Sequence, residues 1–163
     1  MQAAGATRVP SEIRRLERMA ARWERGVAHL QEAVALAPPR LRPEAERLLG
    51  LGRFVLHAVR TTINVKRWWT LKHAVLGEAD PRRAHGLLDQ LVALGEQEIA
   101  NAEAAIPLVE ADSRLGWEPT MEYMTDAAHL RWKIAQVRRV LDHEIPAYRR
   151  ALDLAAPPAE AAG

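Results

Sequence analysis

The chain contains no cysteine, which excludes disulfide staples and thiolate chemistry and leaves the compartment open. Phenylalanine occurs once, at Phe54, and glycine only 9 times in 163 residues. No apolar run approaches the roughly 20 residues of a membrane span, so no membrane partner is expected. The opening Met1-Gln-Ala-Ala-Gly-Ala-Thr-Arg8 lacks the apolar stretch of a secretory signal, and the chain reads as soluble, with no compartment assigned. Charge of one sign is also in short supply: 23 basic against 21 acidic residues leave a net charge of +2, which gives little support for a nucleic-acid partner. No Gly-rich phosphate loop, zinc-ligand spacing, Ser/His/Asp nucleophile setting or dinucleotide fingerprint is present.

What is there is the vocabulary of amphipathic helices. Hydrophobic residues make up 48% and charged residues 27%, with Ala, Leu, Arg and Glu prominent. That balance fits one all-α domain able to bury a core, expected over 11–154 between frayed tails at 1–10 and 155–163. In the first segment, about Ser11 to Ala37, Ile13, Leu16, Ala20, Trp23, Val27, Leu30 and Val34 recur at spacings of three and four. Ser11 is placed to cap it, and Pro38-Pro39 forbids continuation. The second starts near Pro43 and runs towards Leu76, with Gly77 as its stop. Apolar on more than one face, it is expected to be the most buried. Asp80-Pro81 opens the third, which Pro107 is expected to kink or end. A fourth opens at Asp126, carries the stripe Leu130, Ile134, Val137, Leu141, Ile145, Tyr148 and Leu152, and should bend at Pro146. Short connections predict an up-down-up-down four-helix bundle, with an irregular strap at about 106–124 before the last helix.

Metal chemistry finds little footing. A di-metal carboxylate centre needs two Glu-x-x-His pairs and two further glutamates, whereas this chain offers only Asp126-Ala-Ala-His129, which reads as a helix cap beside a surface histidine. Neither metal nor cofactor is expected. On the second helix His57, Arg60, Thr61, Asn64, Arg67 and Trp68 form a polar stripe at roughly helical spacing. Such groups face a ligand, bond between helices, or line the exposed face. A basic run, Arg14, Arg15, Arg18, Arg22 and Arg25, is interleaved with Glu12, Glu17 and Glu24 and reads as a solvated face. Five tryptophans against two tyrosines is an unusual ratio, and indole rings both fill cores and stack on sugar faces or cations.

The densest anomaly is the strap, where Asp112, Arg114, Trp117, Glu118 and Tyr123 bring acids, a guanidinium and aromatic rings together. Acids that accept hydroxyl hydrogen bonds and rings that cover apolar faces suit a sugar. The other arrangement pairs Arg114 with Asp112 or Glu118 and uses Trp117 as a plug. The two differ in whether the carboxylates are free. With Asn64 and Trp68, these are the candidate ligand-binding residues; no catalytic set is complete.

Three strings carry a resemblance: Thr61-Thr-Ile-Asn-Val-Lys-Arg-Trp-Trp69, Asn101-Ala-Glu103, and Ile106-Pro-Leu-Val-Glu-Ala-Asp-Ser-Arg-Leu-Gly-Trp-Glu-Pro119. Over about residues 45–150 the chain resembles the C-terminal helical region of large bacterial glycoside-hydrolase-like proteins, of the α-glucuronidase and β-hexosaminidase-like kind. The resemblance implies a catalytic barrel upstream that holds the acids, so no catalytic residue carries over. It implies an accessory domain or fragment that supports or completes a carbohydrate site, with a glycan and an upstream catalytic domain as partners. The other reading is a helical interaction module that docks on another chain or a second copy of itself, with a purely structural strap.

Overall fold

A computed structural model describes residues 3–116 and 125–155. The chain folds as an all-α helical bundle, and the sequence breakers set most boundaries. Helix α1 (Ala3–Leu36) stops ahead of Pro38-Pro39, and α2 (Arg42–Gly77) opens with Pro43 in its first turn. Helix α3 (Pro81–Ala111) is capped by Asp80, whose side chain accepts the Arg82 N–H at 2.9 Å. After the strap come α4 (Ala127–Arg139), a π-helical turn (Val140–Glu144) and α5 (Ile145–Ala155). Asp126 caps α4 by accepting the His129 N–H at 2.8 Å.

Three boundaries differ from expectation. Helix α1 starts at Ala3, so Ser11 caps nothing and most of the segment expected as a tail at 1–10 is helical. Pro10 removes only its own hydrogen bond, and the alanines before it have the best helix propensity. Helix α3 runs through Pro107 to Ala111, so the strap begins at Asp112 rather than at 106. Burial of Ala105 and Val109 against Leu115 and Leu130 offsets the roughly 3 kcal/mol that an interior proline costs. The last segment is not one bent α-helix. Pro146 has no N–H to give, and just before it the ladder slips to an i→i+5 bond from Ile145 N–H to the Val140 carbonyl. That slip leaves both Leu141 and Ile145 buried.

Side-chain pairs between neighbours fix the directions. Glu17, Glu24 and Gln31 of α1 meet Arg67, Arg60 and Arg53 of α2. His57 meets Asn101, and Thr61 meets Glu98. Glu110, Glu96 and Asp89 of α3 meet Arg131, Arg138 and Arg149. Numbers rise on one helix as they fall on the next, so each neighbour is antiparallel to the last. Helix α1 packs on α2, α2 on α3, and α3 on α4 and α5.

The middle position makes α3, not α2, the most enclosed helix. One apolar cluster joins Val75, Leu88, Leu91 and Ile99 to Leu141 and Ile145; a second joins Ala102, Ala105 and Val109 to Leu115 and Leu130. Gly95 lets the last segment approach, since a Cβ there would stand 2.7 Å from Leu141 Cδ2. No α1 side chain between 8 and 36 is fully buried.

Candidate functional site: a cleft between α2 and α4

Helical spacing puts His57, Thr61, Asn64 and Trp68 on one side of α2, facing α3 and α4. Glu98 and Asn101, three apart on α3, rise to meet them, and Lys133 reaches down from α4. The Glu98 carboxylate, 7% exposed as a residue, accepts from Thr61 Oγ1 and Asn64 Nδ2, each at 2.7 Å, and from Lys133 Nζ. Asn101 Nδ2 donates to Thr61 Oγ1 and to the His57 carbonyl, both at 3.0 Å. With that amide committed, the 2.9 Å contact to Asn101 Oδ1 requires His57 to donate from Nδ1, and Nε2 is left as the ring's unengaged nitrogen. Among the described residues no buried side-chain nitrogen or oxygen lacks a partner.

This network floors a groove that α2 and α4 wall. On one side of the Lys133 bridge lies a cleft of about 530 Å³, lined by Phe54, His57, Thr61, Asn101, His129, Trp132 and Lys133, and by Gly116 and Thr125. The last two frame residues 117–124. They are tied by the Thr125 N–H donating to the Gly116 carbonyl at 2.8 Å, a closure that the positive φ of Gly116, 76°, allows. Trp132 stands 64% exposed at the cleft. On the other side lies a recess of about 280 Å³, walled by Val65, Trp68, Leu94, Val137 and Val140, with Asn64 at its edge.

The residues nominated from sequence separate into three groups. Asp112 and Arg114 form a closed pair: Nε and Nη2 of Arg114 donate to the two carboxylate oxygens at 2.8 and 2.7 Å, and its N–H adds a third bond at 3.1 Å. The guanidinium and that N–H hold the Asp112 carboxyl down to about 2. Asn64 and Trp68 meet at the recess, Asn64 committed to Glu98 and Trp68 packed against the core. Trp117, Glu118 and Tyr123 lie outside the described residues.

The polar stripe of α2 is accounted for by bonds to its neighbours. His57, Thr61 and Asn64 bind α3, while Arg60 and Arg67 pair with Glu24 and Glu17 of α1. Glu98, Asn101, Lys133, His129 and Trp132 were not nominated. Glu98 did carry a signal, since it occupies an inward position of the register Leu91, Leu94, Ala102, Ala105, Val109, where a carboxylate demands partners. Trp132 and Lys133 carried none, because nothing in the sequence says that α4 will lean over this part of α2.

Among the described residues nothing takes the third N–H of Lys133, His57 Nε2 or the second ring nitrogen of His129. The cleft can therefore both donate and accept beside an indole face. Its one adjacent carboxylate, Glu98, already accepts three donors, so the described lining offers hydrogen bonding and stacking rather than a free acid–base pair. Among the described residues no three His, Asp or Glu side chains converge on a common point, and no helix is long and apolar enough to cross a membrane. Compared with family models, curated proteins and solved structures, the chain matches none.

Proposed function

We propose that this chain is a helical accessory domain of a glycoside-hydrolase-like protein, one that holds a carbohydrate in the α2–α4 cleft rather than cleaving it alone. The observation that carries the reading is the exposed indole of Trp132 beside hydrogen-bonding positions of His57, His129 and Lys133 that no described residue takes. A sugar ring presents the matching surfaces, a C–H face for the indole and hydroxyls for the polar groups. The closed Asp112–Arg114 pair withdraws those two from ligand contact and leaves them to hold the foot of the strap.

Titration with soluble oligosaccharides of uronic acids and amino sugars, followed by tryptophan fluorescence, tests it. Saturable quenching that disappears in Trp132→Ala and weakens in His57→Ala is the expected result. A wild-type protein silent to every glycan tried, or binding that ignores Trp132→Ala, would rule out the cleft as a sugar site.

The reading as an interaction module is favoured by a different observation. Val65, Trp69 and Leu76, spaced four and seven apart on α2, stand 58%, 45% and 65% exposed along one face. Sedimentation over a range of concentrations decides whether this row pairs with a second copy. A species that stays monomeric at the highest concentration removes self-association.

A further inference from the structure

The arginine run of α1 is interleaved with acids in sequence and parted from them in space. Glu12, Glu17 and Glu24, which alternate with it, turn towards α2 and are taken by Lys66 at 2.7 Å, Arg67 at 2.6 Å and Arg60 at 2.6 Å. Their charge is spent on the α1–α2 seam. Arg15, Arg18 and Arg22 are left on the outer face with no carboxylate within 4.0 Å and no hydrogen bond to any described residue. At i, i+3 and i+7 they form a row rising by about 4.5 and about 6 Å. Beside that row stand apolar groups: Met19 is 43% exposed and Trp23 38%. At Gly26 the surface is bare, with nothing within 4 Å of where a Cβ would sit. Helix α1 packs on α2 and has no neighbour of comparable contact elsewhere among the described elements.

We propose that this outer face of α1 docks an acidic amphipathic helix of another polypeptide, a surface separate from the cleft between α2 and α4. A partner helix with carboxylates at the same three- and four-residue spacing meets the three guanidiniums in register, each able to make a two-pronged bond. Its apolar residues cover Met19 and Trp23, and bare Gly26 lets the two backbones approach. Apolar centre with charged rim is the anatomy of a protein interface. A nucleic acid would use the arginines and leave Met19 without a counterpart, and the net charge of +2 gives a nucleic acid or an anionic lipid surface little long-range attraction.

The test is fluorescence anisotropy of the full chain with two labelled helical peptides on one Ala/Leu frame. One carries Glu at the three matching positions and the other carries Gln. The Glu peptide should bind about tenfold or more tighter than the Gln peptide, with an affinity that falls as salt is raised. The triple variant Arg15→Gln/Arg18→Gln/Arg22→Gln should lose about tenfold for the Glu peptide, and Met19→Ser several-fold, with circular dichroism unchanged in both. Equal binding of the two peptides, or no effect of the triple variant, overturns the proposal. So does tighter binding to single-stranded DNA or phosphatidylserine vesicles than to the Glu peptide. Because the variants lie away from Trp132 and His57, a failure here and a failure of the cleft reading are told apart.

Discussion

Gly116 and Gly50 show how one residue type meets opposite demands. At Gly116 the backbone has φ 76°, and a Cβ would stand 2.8 Å from the Thr125 carbonyl oxygen. Gly116→Ala should therefore lower stability by about 1–3 kcal/mol in urea denaturation, from left-handed strain and the clash together. Gly50, inside α2 with nothing within 4 Å of a Cβ, carries only the entropic penalty of a helical glycine. Gly50→Ala should raise stability by about 0.5–1 kcal/mol in the same measurement. Both glycines look alike in the sequence. Asp112 is a further contrast: the sequence left it either free or paired with Arg114, and the turn of the backbone there decides for the pair.

Among the elements, the seam of α2, α3 and α4 depends on one buried charge. Lys133→Met would leave the Glu98 carboxylate with two neutral donors, and a loss of about 2–3 kcal/mol is expected. Adding Glu98→Gln should restore most of it, because the neutral amide oxygen still accepts from the Thr61 and Asn64 side chains without an unpaired buried charge. A double variant as unstable as Lys133→Met would show that the seam does not depend on this charge. The four long helices were legible from periodicity and from Pro38-Pro39, Gly77 and Asp80-Pro81. The run of α3 past Pro107 was not, because local propensity opposes it and burial of Val109 wins. The π-turn likewise combines a local cause, Pro146, with a tertiary one, the joint burial of Leu141 and Ile145.

At the scale of the molecule, three carboxylates among the described residues respond to acid in one direction. Asp112 is lowered by Arg114, Glu12 by Lys66 and Arg8, and Asp126 by the His129 N–H and ring. Each holds its proton less tightly folded than unfolded, so each stabilises the fold above the ordinary carboxylate range near about 4. That contribution is lost as pH falls through the folded values, which for Asp112 is about 2. Urea midpoints should thus fall steadily below pH about 4, with a shallower fall in Asp112→Asn. A second response belongs to the α1–α2 seam. Its three ion pairs are partly exposed and worth about 0–1 kcal/mol each, so added salt should lower the midpoint slightly, and less so in Glu17→Gln.

The sequence by itself determined the helical class, the order of the helices and the stops of the first two, because periodicity and proline or glycine breakers act within a few residues of themselves. Tertiary structure alone decided which charges stay free. In the sequence Glu12, Glu17 and Glu24 alternate with the α1 arginines, and Glu98 is an inward carboxylate without an assigned partner. In the fold α2 claims the first three and α3 buries the fourth under Lys133. Pairing is a matter of distance across helices, and that distance exists only once the helices have packed.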